Sequence, residues 1–337
     1  MWLSLPLLAQ ADDSWITAVA FLLVGFGALF VGGEGLVRGA AALAVRLRLT
    51  PAVIGLTVMA LGTSLPELVV SVNAQLDGSP DMSVGNVVGS NLFNIGVVLG
   101  LCGIIYPIVV PGSTVRLEYP FMLFASALVP FLARGDRESD RWEGLLLVAM
   151  LTGFTAFMVR LARREATEAE KESYREAVDE ALADEPPEHP LLVAVSLVVI
   201  GGVLLYYGAE WFVEGAQTLA RLWGWSDRLI GLTVLAAGTG APELFATISA
   251  AWHRKTEMAL ANVIGSNIFN VLGILGVASL VQPLPIAESI LDWDIWWMLG
   301  SSLVLGPLLI GKKLHRWEGI LLFGIYVGYA VSLYYRP

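Results

Sequence analysis

The chain has 337 residues, of which 56% are hydrophobic and 15% charged, with a mean hydropathy of +0.70 and a formal net charge of −10. A soluble domain carries roughly a quarter charged residues, so this composition excludes an ordinary soluble protein and predicts an all-α polytopic membrane protein. The net charge says little about partners, because the acid is concentrated in one segment, and no nucleic-acid partner is expected; a single cysteine, Cys102, excludes an intramolecular disulfide or a cysteine-rich metal centre.

The residues before the first span contain Ala9-Gln10-Ala11, a faint signal-peptidase pattern without a basic leader, and read as an exposed tail. Apolar stretches long enough to cross the bilayer then recur at about 14–37, 51–76, 81–106, 117–134, 141–161, 190–220, 228–252, 257–281, 290–311 and 315–335. The first holds Glu34, with Arg38 near its end. Cys102, in the third, reads as a small packing residue. Between the fifth and sixth, Arg163 to Glu188 carries four basic and ten acidic residues and closes on Pro186-Pro187. It reads as a solvated linker, because no D-x-[DN]-x-[DN]-G calcium loop is present. His189, His253 and His315 fall in predicted loops and are expected to be solvated.

Lysine and arginine placement sets the expected orientation. With the N-terminus outside, inner segments hold thirteen basic residues and outer ones six, and the outer loops collect Asp77, Asp81, Glu288, Asp292 and Asp294. Both termini are therefore expected outside the cytoplasm, in a multi-pass cell (inner) membrane protein.

The segment Gly55 to Gly100 reappears 176 residues later as Gly231 to Gly276, with twenty-one of forty-six positions identical. At the same offset Glu34 matches Glu210, and at 175 Arg141-Trp142-Glu143-Gly144 matches Arg316-Trp317-Glu318-Gly319. The expected organisation is a five-helix repeat over 1–162, an acidic linker over 163–189 and a second five-helix repeat over 190–337. An odd number of spans per half inverts the second, the architecture in which ion sites form on broken helices near the midplane.

The repeated residues are polar. In Gly62-Thr63-Ser64-Leu65-Pro66-Glu67, Pro66 cannot donate to the Gly62 carbonyl and breaks the helix; Pro242 does the same to Gly238. Glu67 and Glu243 then stand beside freed carbonyls around Thr63 and Thr239, a set of hard oxygens that suits calcium. The absence of an accompanying His or Cys cluster argues against zinc, copper or iron. Asn86, Ser90 and Asn94 form one helical stripe, and Asn262, Ser266 and Asn270 repeat it. These side chains can ligate sodium or orient the glutamates. Asn91 and Asn267 lie off the stripe and suit interhelical hydrogen bonds, while Gly85, Gly89 and Gly265 read as packing positions. Glu34 and Glu210 either guide cations or pair near an interface.

The paired G-T-x-x-P-E and G-S-N-x-F-N elements resemble the alpha repeats of the calcium/cation antiporter superfamily, most of all its prokaryotic sodium/calcium exchanger branch. The resemblance implies calcium ligation by Glu67 and Glu243 with the backbone of Thr63 and Thr239. It implies sodium ligation or site support by Ser64, Ser90, Asn94, Ser266 and Asn270. It implies calcium and sodium as substrates in a lipid bilayer, without cofactor or obligatory protein partner. Gly240 stands where relatives repeat the serine of Ser64, so a water or carbonyl is expected to replace one hydroxyl. Asn270 stands where potassium-dependent relatives carry Asp, which implies potassium independence. The proton-coupled branch resembles G-N-x-x-E instead, so sodium coupling is favoured over calcium/proton exchange. A cation channel would need no counter-ion, and a membrane hydrolase lacks an intramembrane histidine base.

Overall fold

The structure, a computed structural model, describes residues 15–132, 138–165, 190–223 and 236–335. The tail pattern at Ala9 to Ala11, most of the acidic linker, His189 and the start of the second repeat, Gly231 to Leu235, lie outside the described residues.

The described chain is almost wholly helical: α1 (Trp15–Leu47), α2 (Pro51–Thr63), α3 (Leu65–Leu76), α4 (Pro80–Ile105), α5 (Thr114–Leu132), α6 (Arg141–Glu165), α7 (Leu191–Leu222), α8 (Ala236–Thr239), α9 (Ala241–Trp252), α10 (Thr256–Val281), α11 (Ile290–Ile310) and α12 (Arg316–Tyr334). Four two-residue strands lie between them: β1 (Ile108–Val109), β2 (Glu138–Ser139), β3 (Leu284–Pro285) and β4 (Lys313–Leu314). Among the described residues seven helices are long and apolar enough to cross a bilayer, and the broken pair α2–α3, bent by 45°, makes an eighth. The chain is a membrane protein. A ten-span reading draws its other two from α12 and from the broken segment α8–α9.

The first helix outruns its sequence expectation. It continues past residue 37 to Leu47, because Arg38 does not end it: its Nε donates to Glu34 Oε1 at 2.6 Å one turn back. Such an i,i+4 pair supports a helix. Against it lies α7, antiparallel along nearly its whole length. Ala18, Gly25, Gly32 and Gly39 meet Gly215, Gly208, Gly201 and Ala194, so a small residue stands every seventh position on both helices. A Cβ on Gly32 would sit 2.9 Å from the Gly201 carbonyl oxygen, and one on Gly201 only 2.6 Å from the Leu36 nitrogen. In hydrocarbon, where apolar burial drives no association, such backbone proximity is what holds helices together.

The Arg-Trp-Glu-Gly pair found in the sequence acquires a physical meaning. Each copy opens a helix. Glu143 Oε2 accepts from the Asp140 N–H at 3.0 Å while Asp140 Oδ1 accepts from Trp142 and Glu143 N–H. Likewise, Glu318 Oε2 accepts from the His315 N–H at 2.6 Å. These are reciprocal caps that satisfy orphan N–H groups. The glycine that follows permits a close crossing: a Cβ on Gly144 would be 2.7 Å from the Gly276 carbonyl, and one on Gly319 2.6 Å from that of Gly100.

The strands pair antiparallel as β1–β4 and β2–β3, so each ties a loop before residue 163 to one after residue 189. Gln75 reinforces the second tie by donating to the carbonyls of Gln282 at 3.0 Å and Pro283 at 2.8 Å. The most deeply buried helices are α4 and α10, whose membrane windows are 78% and 83% enclosed by protein. They form the centre around which the broken helices are set.

Candidate cation site

Two helix breaks build the site. Ser64 has φ −87°, ψ 5° and Gly240 has φ −87°, ψ 4°, so both repeats leave the α-helix at the same point and in the same conformation. Pro66 and Pro242 then fall in the first turn of α3 and α9, where a missing N–H is harmless. Glu67 and Glu243 are also in those first turns, and each carboxyl group turns back onto its own backbone N–H. A helix N-terminus supplies unpaired donors and a positive dipole end, which favour a negative charge there.

The structure brings Thr63, Ser64, Glu67, Glu243 and Ser266 into one cluster. Thr63, Ser64, Glu67, Ser90, Asn94, Glu243, Ser266 and Asn270 are all buried. Ser64 Oγ donates to Glu243 Oε1 at 3.1 Å, across the repeats. The Thr63 and Ser266 hydroxyls meet at 3.4 Å, and the Glu67 and Glu243 carboxyl groups lie side by side. Thr239 is half-buried at the end of α8, one residue before the second break.

Asn86 and Asn262 turn away from the carboxylates. Asn86 Nδ2 donates to the Glu67 carbonyl at 3.3 Å and to Ser71 Oγ at 2.9 Å, and Asn262 Nδ2 donates to Thr247 Oγ1 at 3.1 Å. They fasten α4 to α3 and α10 to α9, holding the glutamate-bearing turns in place. Ser71 and Thr247 are repeat equivalents that carry this role, and no motif in the sequence marks them.

Asn91 and Asn267 do bond between helices. Asn91 Nδ2 donates to the Asn267 carbonyl and Asn267 Nδ2 to the Asn91 carbonyl, both at 3.4 Å. Their side-chain oxygens accept from Asn270 Nδ2 and Asn94 Nδ2, both at 3.1 Å. The thioethers of Met298 and Met122 complete the reciprocal set at 3.7 and 3.8 Å. At this level α4 and α10 both pass into π-helical turns, Asn94–Leu99 and Phe269–Leu275. Such turns recur at functional sites.

Of the three glycines assigned to packing, Gly265 fits: a Cβ there would lie 2.5 Å from the Leu56 carbonyl. Gly85 and Gly89 do not. A Cβ on Gly89 would meet nothing within 4 Å, and one on Gly85 only the tip of Ile290 at 3.9 Å. Glu34 resolves as a pairing group: Ser249 Oγ donates to its Oε2 at 2.9 Å, and His253 Nε2 lies 2.6 Å from its Oε1. His253 is therefore not a solvated loop residue, and burial holds its imidazole below the usual range. His315 caps α12, as described above.

The electrostatics point to cationic cargo. Glu67 Oε2, Glu243 Oε2 and Asn270 Oδ1 are buried without a hydrogen-bond partner among the described residues. Buried acceptors left open cost free energy unless something binds them. The one basic side chain among the buried residues described, Lys255, sits in the turn between α9 and α10. No group of three His, Cys, Asp or Glu side chains forms among the described residues. Two carboxylates with hydroxyl, amide and carbonyl oxygens make a hard-oxygen set, suited to Ca2+ or Na+ and not to thiophilic metals.

Comparison with known proteins agrees with this chemistry. A family model described as "Sodium/calcium exchanger protein" matches residues 17–160 and 193–335. The chain is 31% identical over 347 residues to the sodium/calcium exchanger MaX1 of Methanosarcina acetivorans, covering 94% of this chain and 99% of that one. It is 32% identical over 322 residues to the inner membrane protein YrbG of Escherichia coli, covering 95% and 98%. A solved structure of the sodium-calcium exchanger NCX_Mj superposes with a TM-score of 0.79 at 31% identity, covering 95% of this chain and 100% of that one. The chain belongs to the sodium/calcium exchanger family.

Proposed function

We propose that this protein exchanges Ca2+ for Na+ across the cell membrane by alternating access, at a single centre around Glu67 and Glu243. The observation that carries the reading is the buried carboxyl pair set on two matched helix breaks, each with one oxygen free of any hydrogen bond among the described residues. Ser64, Thr63, Thr239, Ser90, Asn94, Ser266 and Asn270 complete the oxygen set, with Asn86 and Asn262 as supports. Two carboxylates carry a charge of about −2, which one Ca2+ or two Na+ neutralise, while the bare pair is too costly to move through hydrocarbon. That rule couples the two fluxes. Asn270 brings no third carboxylate, which supports potassium independence.

The architecture that supports this cycle is ten spans in two inverted five-helix halves, 1–162 and 190–337, with 163–189 as a cytoplasmic linker. Matching family segments on either side of that linker and the reciprocal Asn91–Asn267 contacts support the division. The antiparallel pair α1–α7 then slides along the other helices to expose the site to each side in turn.

Calcium/proton exchange is the second reading, and one observation favours it: two adjacent carboxyl groups are satisfied by a shared proton as well as by a cation. Calcium flux into proteoliposomes under a sodium gradient, a proton gradient, or neither separates the two, each with and without potassium. Sodium-driven uptake is expected, unchanged by potassium, and absent in Glu67→Gln and Glu243→Gln proteins that still fold. Robust sodium-driven flux in either variant overturns the site; uptake driven by protons alone overturns the sodium coupling.

A further inference from the structure

The two halves of the site differ at one position, and the structure fills the difference. Ser64 and Gly240 share a backbone conformation. The Ser64 hydroxyl reaches across to Glu243, but Gly240 has no hydroxyl to return to Glu67. Nor is its place left for water. A Cβ on Gly240 would lie 2.3 Å from both Cδ1 and Cε1 of Phe93. That ring is 6% exposed and is held edge-on by Tyr326, with centroids 5.7 Å apart. The repeat equivalent of Phe93 behaves differently: Phe269 lies along its own helix, 3.1 Å from where a Cβ on Gly273 would be.

A cation leaving water must have its lost oxygens replaced, one by one, by protein oxygens. A phenyl ring in van der Waals contact with Gly240 supplies none and excludes the water that would otherwise serve. The missing oxygen is on the Glu67 side, where Gly240 has no counterpart to the Ser64 hydroxyl and the Phe93 ring fills its place. A third sodium there would find an incomplete shell.

We infer that Phe93 seals the Gly240 side of the centre and limits it to two sodium ions, so that the protein exchanges two Na+ for one Ca2+ without net charge movement. This rests on the exchange reading given above, and the test separates the two.

The full-length protein in proteoliposomes, loaded with tracer sodium, is supplied with tracer calcium, and both fluxes are counted at zero and at imposed membrane potential. The expected ratio is about two sodium per calcium, with a steady calcium accumulation that does not change with potential. A cycle moving one net charge instead shifts that accumulation about 50-fold per 100 mV. A ratio of three with a potential-dependent gradient overturns the role of Phe93 but leaves exchange standing. Absence of any sodium-driven calcium flux overturns the exchange reading itself.

The double variant Phe93→Ala/Gly240→Ser restores both the room and the hydroxyl, and is expected to become potential-sensitive with a ratio near three. A double variant that transports at a ratio of two also overturns the inference. Should it fail to fold, the wild-type ratio decides alone. Gly240→Ser without the ring removal is expected to lose transport through the clash.

Discussion

The side chains around the site divide by what they can give. Ser64 gives a hydroxyl to a carboxylate on the other repeat, and Asn91 and Asn267 exchange amide bonds across the centre. Lys255 gives nothing. Its Nζ is buried without a hydrogen-bond partner among the described residues, and burial brings its pKa from 10.5 down to about 8, against the attraction of Glu34 and with the repulsion of Arg38. A lysine whose folded pKa lies below its unfolded value disfavours folding while protonated. The penalty is complete below about pH 8 and fades as pH rises toward 10.5. Lys255→Met is therefore expected to raise the melting temperature at pH 7 and to change it little at pH 10. An equal shift at both pH values would show that the charge is not what matters.

The glutamates were legible as duplicated acids beside a proline break, and the Asn-Ser-Asn stripes because their four-residue spacing puts each set on one helix face. The division of labour within the stripes was not. Asn86 looks like Asn94 in sequence, and only the approach of Ser71 shows that it is an anchor. The meeting of Phe93 with Gly240 was likewise beyond reach, since 147 residues of chain separate them.

Among the elements, α1 and α7 stand apart. With 33 and 32 residues they are the longest described helices. At 1.5 Å per residue each is about 50 Å long, against about 30 Å of hydrocarbon, and they touch one another through glycine. Gly32 and Gly27 provide a matched test. A Cβ on Gly27 meets nothing within 4 Å, whereas one on Gly32 strikes backbone at 2.9 Å. Gly27→Ala is expected to be neutral, or to stabilise by up to about 1 kcal/mol through helix propensity. Gly32→Ala is expected to lower both melting temperature and flux, because it wedges the seam. Equal effects would argue against a close-packed pair.

Gly33 faces α9 instead, where a Cβ would lie 3.1 Å from Phe245 backbone. A short crosslink from Gly33→Cys to Ala246→Cys is expected to stop exchange. One from Gly35→Cys to Leu197→Cys, within the α1–α7 pair, is expected to be tolerated, since a Cβ on Gly35 meets Leu197 backbone only at an ordinary 3.6 Å. Exchange surviving the first crosslink would end the sliding proposal. The seven-residue period of small residues was present in the sequence, but thirty-five glycines in an apolar chain hide it. Partner helices are needed to show which of them matter.

Across the molecule, the strand pairs and the Gln75 contacts sort the loops into two sets. One set holds residues near 109, 256 and 313; the other holds residues near 75, 139 and 284. By the basic-residue count the first set is expected in the cytoplasm. A membrane-impermeant maleimide applied to intact cells is then expected to label Asp77→Cys and to spare Lys312→Cys, with Cys102 buried in both. The reverse pattern would invert the orientation. Composition made the membrane class legible, and the repeat made the duplication legible. The ties between loops were not, since two-residue strands carry no periodicity to read.

Those ties also say something about ancestry. β1 joins β4 and β3 joins β2, and each pair is the image of the other at the spacing of the repeat. Exchanging the halves leaves the pairing unchanged, the self-complementary pattern of identical subunits meeting on a two-fold axis. A half-length protein with these strands closes the same frame as a homodimer. In a homodimer every substitution is made twice, so a serine on one side always faces a serine on the other. A joined chain lifts that constraint. Only on a joined chain does one half become free to drift toward a new ion count while its twin keeps the old chemistry.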